Sequence, residues 1–252
     1  MTADQEFHGV RAVVTGGASG IGAATASMLR ERGATVCSLD LASEGTPDGC
    51  VHVRCDVTDE AATTAAVEHA AHELGGIDVV VNNAGVGASG TVEDSDDDTF
   101  RRLHEVNVLG AVRVTRAALP HLRQSAHAAV VNTVSVAATV GLPERAAYSA
   151  SKGALLSLTL AMAADHLRDG VRVNCVAPGT ADTPWVQRLL AEAEDPSAAR
   201  LLLESRQPTR RLVTAEEVAR AICALASPLA SSSTGSVVTV DGGLTTVRLP
   251  SR

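Results

Sequence analysis

Apolar positions along the chain fall into two alternating patterns. Short, mostly apolar runs rich in β-branched residues recur at 10–14, 34–39, 52–55, 77–81, 129–134, 171–176 and 237–240. Longer Ala-rich stretches with helical spacing fill 21–32, 59–74, 99–123, 148–168, 183–205 and 215–226. Apolar runs of strand length predict strands covered on both faces. Gly33 closes the first helix, Thr58 or Asp59 caps the second, and the third breaks near Leu109 and Gly110. Repeated strand–helix–strand units predict one α/β domain over residues 1–252, a doubly wound parallel sheet with helices on both faces. Residues 178–214 depart from the alternation. This insertion before the last helix is expected to lie as a lid over the strand ends, the ligand side of such a sheet.

Composition narrows the function classes. The formal net charge is −8, and no basic stripe with aromatics occurs, which argues against a nucleic-acid or anionic-membrane partner. The cysteines Cys37, Cys50, Cys55, Cys175 and Cys223 are odd in number and lack CxxC spacing, so neither a disulfide framework nor a zinc site is expected. Cys37, Cys55 and Cys175 sit in strand-like runs as small buried hydrophobes. His104, His121 and His166 show no metal-ligand spacing, and the acidic run 93–98 reads as a solvated loop capping the next helix. The acidic, polar stretch 1–9 is not expected to be a signal peptide, and no apolar run approaches the ~20 residues of a membrane span. A cytoplasmic location is the expectation. Lys152 is the only lysine and Tyr148 the only tyrosine. Where arginine has replaced lysine everywhere else, the surviving lysine is expected at a position arginine cannot serve.

The first strand runs into Thr15-Gly16-Gly17-Ala18-Ser19-Gly20-Ile21-Gly22, a glycine-rich turn that opens a helix. Gly16 permits the tight turn, Gly20 lets the backbone approach a pyrophosphate, and Gly22 lets the helix pack on the strand. An anion is favoured at the helix N-terminus beyond it. This makes the sheet Rossmann-type. Asp40 ends the second strand, at the distance expected of the acid that bonds the ribose hydroxyls of NAD. No Lys or Arg occurs from Gly33 to Val53, so a 2′-phosphate would meet a carboxylate and no cation, and NAD is expected over NADP. Asp56 and Val57 follow the third strand, on the adenine side. Asn82, Asn83, Ala84 and Gly85 follow the fourth, bordering the cofactor.

Tyr148 and Lys152, four apart in a helical run, share one face. Free tyrosine titrates near ~10 and is a poor base at neutral pH, so a neighbouring ammonium is expected to stabilise its phenolate. The same ammonium is a compact donor for the cofactor ribose. Ser135, at the end of the fifth strand, is placed to hold a substrate oxygen in line with Tyr148.

These residues resemble the short-chain dehydrogenase/reductase family over nearly the whole chain. The carrying motifs are TGGASGIG at 15–22, NNAG at 82–85, Asn107 in VNVLG, Ser135, Tyr148-Ser-Ala-Ser-Lys152, Pro178-Gly179 and Val240-Asp-Gly-Gly243. The resemblance implies that Ser19, Ile21, Pro178 and Gly179 belong to the cofactor site. It implies that Asn107 holds a water relaying protons through Lys152, that Thr183 contacts the nicotinamide carboxamide, and that the chain forms a homotetramer. The expected reaction interconverts a secondary alcohol and a ketone, with Tyr148 moving the proton and NAD the hydride.

Arg145, Arg188 and Arg206 flank the expected pocket, and arginine suits bidentate carboxylate binding. The segment Asp182-Thr183-Pro184-Trp185 with Gln187-Arg188 and Arg206-Gln207 resembles the branch acting on 3-hydroxybutyrate and 2-keto-3-deoxy-L-fuconate, where matching arginines line a basic pocket. A small hydroxy acid or sugar acid is the expected substrate. Trp185 reads as a pocket wall or as an anchor of the lid. Arg210 departs from the branch, which often has glycine there. Two alternatives stand beside this reading: a carbonyl reductase for lipid, steroid or carrier-bound ketones, and an NAD-sensing binding protein.

Overall fold

The computed structural model describes residues 5–249; residues 1–4 of the polar N-terminal stretch, and 250–252, lie outside it. Seven parallel strands form the main sheet: β1 (Arg11–Thr15), β2 (Thr35–Asp40), β3 (Val51–Arg54), β4 (Val79–Asn82), β5 (Ala129–Thr133), β6 (Arg172–Pro178) and β9 (Val237–Val240). Their order is β3-β2-β1-β4-β5-β6-β9. The helices are α1 (Gly20–Glu31), α2 (Glu60–Leu74), α3 (Asp97–His104), α4 (Gly110–Leu122), α5 (Ala146–His166), α6 (Pro184–Ala191), α7 (Pro196–Ser205) and α8 (Ala215–Ala226).

Strands β4, β5 and β6 are buried at every position, because helices cover both faces. One face packs Ala12, Val14, Val81 and Val131 against Ala26 and Leu29 of α1 and Ile222 of α8. The other packs Val13, Val80 and Val130 against Val67 of α2, Leu122 of α4 and Met162 of α5. Alternation along each strand therefore feeds two separate cores. Strand order reverses between β1 and β4, and this switch point opens a crevice at their C-terminal ends. Buried thiols behave as apolar filler: burial pushes Cys37 and Cys223 up to about 12 and Cys175 up to about 11. No helix among the described residues is long and apolar enough to cross a membrane.

Three expectations need correction in detail. The stretch 183–205 is two helices, not one. Asp195 accepts hydrogen bonds from the Ser197 and Ala198 amides at 3.0 Å each, and Pro196 occupies the first turn of α7. A capping aspartate followed by proline starts a helix and ends whatever precedes it. The break expected near Leu109 and Gly110 is a π-helical turn over Glu105–Leu109, which ends there and begins four residues earlier, and the helix begins at Asp97 behind the Asp96 cap. The helix expected at 148–168 starts at Ala146 and ends at His166, followed by a 3₁₀ turn. At α2 the cap is Asp59, which accepts from the Ala62 amide at 2.9 Å.

The insertion at 178–214 is pinned at its base. Two short strands, β7 (Ala181–Asp182) and β8 (Val213–Thr214), pair in parallel and bring its ends together. Val186 and Leu190 of α6, Leu203 of α7 and Leu212 form its own small core.

Candidate active site

The glycine-rich turn is built from atoms that leave no room for side chains. Gly16 has φ +63° and Gly20 φ +52°, conformations that L side chains rarely adopt. A Cβ on Gly22 would lie 2.0 Å from the Gly16 carbonyl oxygen and 2.6 Å from Asn83 Nδ2. Gly22 thus lets α1 close on the turn itself. The Thr15 hydroxyl accepts from the Asn83 and Ala84 amides at 3.0 Å each, and Asn83 Nδ2 donates to the Thr15 carbonyl at 3.1 Å. These bonds lock the end of β1 to the end of β4 across the switch point. Ser19, the N-cap of α1, makes no side-chain cap bond, and the first turn of α1 carries no acidic residue. Free N–H groups, an uncommitted hydroxyl and a helix dipole fit a dinucleotide pyrophosphate. Ile21 lines the adjoining cavity.

Asp40 is held in place by the turn it faces. Its carboxylate accepts from the Ala18 amide at 3.0 Å and the Ala42 amide at 3.1 Å. Strand register sets Arg54 of β3 beside Asp40. That is a cation which the cation-free interval 33–53 stops one residue short of. Asp56 accepts from the Thr58 amide and hydroxyl at 2.9 and 2.7 Å, which hold its carboxyl below its ordinary range. It therefore shapes the turn into α2. Val57 is buried against Gly110 of α4.

One cavity collects Asn83, Gly85, Ser135, Tyr148, Lys152, Pro178, Gly179 and Thr183, together with Arg145, Trp185 and Arg206. Residues far apart in sequence meet because β4, β5 and β6 all end there. Lys152 Nζ lies 5.9 Å from the centre of the Tyr148 ring and donates to the Thr133 carbonyl at 2.8 Å. Burial raises the Tyr148 phenol above its ordinary value, while the Ser135 hydroxyl and the Arg145 charge pull it back. The four-residue spacing singled out Lys152 as the charge acting on the phenol; the charge that pulls the phenol down is that of Arg145, one helical turn earlier. Lys152 is itself buried and driven down to about 8.

That shift has a consequence for stability. An unfolded lysine titrates near ~10.4, so between that value and about 8 the unfolded chain holds more protons and stability rises with pH. Lys152→Met is expected to stabilise the cofactor-free protein by about 2 kcal/mol at pH 7, after the loss of the bond to Thr133. It should also remove the rise above pH 8. Urea unfolding at pH 7 and pH 9.5 measures both, and a variant less stable than wild type at pH 7 would contradict the reading.

Asn107 sits in the π turn and is almost wholly buried. Its Oδ1 accepts from the Val86 amide at 2.8 Å, and its Nδ2 donates to the Val86 carbonyl at 2.9 Å and to Ser151 Oγ at 3.0 Å. Both amide hydrogens are committed, one to the loop after β4 and one to Ser151 of α5. Gly85 makes this possible, since a Cβ there would stand 3.0 Å from Asn107 Oδ1 and 3.4 Å from Lys152 Nζ.

The three arginines separate. Arg145 and Arg206 line the cavity; Arg188 is exposed on α6 and does not line it. Arg145 Nη1 is anchored by the Ala88 carbonyl and Ser89 Oγ of the loop after β4. Burial and the Arg206 charge hold the Arg145 guanidinium below its ordinary value. Trp185 of α6 stands over Gly87, where a Cβ would meet the indole at 2.7 Å. Arg210 has φ +58°, the left-handed region that favours glycine, so the backbone keeps there the conformation that a glycine would adopt freely. Arg211 is committed to Glu217 of α8 at 2.6 and 2.8 Å.

Two buried groups extend beyond the sequence reading, which places Asn82 at the central strands but not its partners. Gln207 is fully buried, donates to the Arg211 carbonyl, and turns its Oε1 toward Gly179. Asn82, Asn132, Thr115 and Thr159 form a polar ladder, with Asn82 donating to Thr115 at 3.0 Å and to Asn132 at 2.9 Å. No local pattern signals Gln207 or the partners of Asn82, because each depends on residues brought from separate strands and helices.

Known proteins agree with this architecture. A family described as enoyl-(acyl carrier protein) reductase matches residues 16–245. The chain is 42% identical to cis-4-hydroxycyclohexanecarboxylate dehydrogenase of Sinomonas cyclohexanicum, over 94% of this chain and 96% of that one. It is 39% identical to L-fucose dehydrogenase of Oryctolagus cuniculus, over 96% and 87%. The ligand-free aldohexose dehydrogenase of Thermoplasma acidophilum superposes with TM-score 0.91 at 32% identity, covering 98% of this chain and 99% of that one. The match runs from the glycine-rich turn to beyond Asp241, and with relatives of this identity over this length the chain belongs to the short-chain dehydrogenase/reductase family of oxidoreductases.

Proposed function

We propose that the protein is an NAD-dependent dehydrogenase that interconverts a secondary alcohol and a ketone on a small hydroxy acid or sugar acid. The observation that carries the substrate half is the pair Arg145 and Arg206 in the cavity of Tyr148. The ion pairs of the insertion are Arg200 with Asp182 and Glu204, and Arg211 with Glu217. Arg145 and Arg206 take part in no ion pair among the described residues. Two cations facing one cavity repel, and a carboxylate between them relieves that repulsion. The relative acting on a hydroxycyclohexanecarboxylate supports an acid.

The residues supply the proton chemistry. Ser135 holds the alcohol oxygen, and Tyr148 as phenolate removes its proton; in the reverse direction Tyr148 donates it. The Arg145 charge pulls the phenol toward the phenolate, and Lys152 Nζ stands 5.9 Å from the ring centre. Asn107 keeps the loop after β4 in place, and the remaining acceptor site of its Oδ1 suits a relay water. NAD, when bound, supplies the hydride acceptor. Ser19, Gly20 and Ile21 would hold its pyrophosphate side, Asp40 its ribose, and Thr183 with Pro178 and Gly179 its nicotinamide side.

Asp40, fixed by two amides, supports NAD over NADP. Preference for NAD in kcat/KM is expected at about 100-fold or more, the effect of a phosphate meeting a bonded carboxylate. Equal turnover with NADP would overturn this half and assign Arg54 the 2′-phosphate. For the substrate half, Arg145→Ala is expected to lower kcat/KM on hydroxy acids about 100-fold and on neutral alcohols far less. Equal losses on both would remove the carboxylate. A homotetramer, implied by the family, is supported by the edge position of β9 and the exposed Leu249 in the segment that follows it, and light scattering tests it.

A further inference from the structure

From the lining of the substrate cavity, we infer that the substrate is a hydroxy acid with an unhydroxylated hydrocarbon body, its only polar ends being the carbinol and the carboxylate. The inference rests on the carboxylate reading above and narrows it. The charged and catalytic side chains of the cavity are Ser135, Tyr148, Lys152, Arg145 and Arg206, and the Arg145 charge acts on the Tyr148 phenol while that of Arg206 acts on Arg145. The walls are Val134, Leu142, Trp185, Val186, Leu189 and Leu203. No Asp, Glu, Gln or His side chain lines the cavity among the described residues. Its one asparagine, Asn83, is bonded to the Thr15 and Gly16 carbonyls and to Thr133. Thr183 faces Gly20, on the cofactor side.

A hydroxyl carried into such walls loses its water and gains no partner. A site recognises a polyol by placing donors and acceptors along its length, and rejects analogues through the groups left unpaired. Here, beyond Ser135, Tyr148 and the two arginines, a substrate hydroxyl would find only the Thr180 side chain, since Lys152 and Thr133 are bonded within the protein and Thr183 faces Gly20. Apolar walls instead reward an apolar body by surface removed from water. Trp185 completes the enclosure, because Gly87 lets the indole close against the loop after β4.

The test uses the NAD-loaded protein and three ligands: cyclohexanecarboxylate, its carboxamide, and quinate, which is the same ring and carboxylate carrying added hydroxyls. Trp185 is the only tryptophan, so its fluorescence reports on this wall alone, and calorimetry gives each Kd. Cyclohexanecarboxylate is expected to change Trp185 emission and to bind at least about tenfold tighter than quinate. Quinate binding as tightly, or no binding of cyclohexanecarboxylate, overturns the inference. Carboxamide binding as tightly as cyclohexanecarboxylate, with quinate still weak, removes the carboxylate reading and leaves the apolar body standing.

Discussion

Tyr148→Phe is expected to lose about 10³–10⁴-fold in kcat while NAD affinity changes little. The ring stays, so the packing of α5 against the cavity is kept. Only the hydroxyl goes, and with it the group that, in the proposed reaction, exchanges a proton with the alcohol. Ser135 and Lys152 do not replace it. The Ser135 hydroxyl is committed to the Ala137 amide as an acceptor, and a serine hydroxyl gives up its own proton only to a base. Lys152 is tied to the Thr133 carbonyl beside the ring. Single-turnover kinetics with an NAD titration separates chemistry from binding. Residual kcat above about a tenth of wild type would show that another group moves the proton.

Gly22→Ala is expected to weaken NAD binding at least about 100-fold and to destabilise the protein by about 3 kcal/mol. The added methyl would fall 2.0 Å from the Gly16 carbonyl oxygen and 2.6 Å from Asn83 Nδ2. The carbonyl is backbone, and Asn83 is fixed by bonds to β1, so neither yields without opening the turn. Gly141→Ala, where a Cβ meets nothing within 4 Å, is the matched control. Thermal unfolding and NAD titration of both variants check this. A Gly22→Ala protein that binds NAD like wild type would mean that the turn is not the phosphate site.

Much of the site was legible because its residues act through local geometry. The turn 15–22, the four-residue step from Tyr148 to Lys152 and the acid at the end of β2 each report on a neighbour close in sequence. The insertion was legible as a departure from alternation, but its division at Asp195-Pro196 was passed over because both halves share an amphipathic pattern. Arg145, Arg188 and Arg206 could not be ranked from sequence. Arg188 differs from its neighbour Leu189 only in which way one residue of α6 faces, and that direction is set by the packing of α6 on Leu203 and Leu212.

By itself the sequence determined the sheet type, the glycine-rich turn and the placing of Tyr148 and Lys152 on one helix face, since apolar periodicity and short spacing encode helices, strands and turns directly. Only the tertiary structure decided which charges surround Tyr148, what Gly22 packs against, and that apolar side chains line most of the cavity beside Tyr148. Those features depend on the ends of β4, β5 and β6 and on a folded-back insertion meeting at one point. Long-range approach of this kind is fixed by the packing of the whole core, and no stretch of the chain carries it alone.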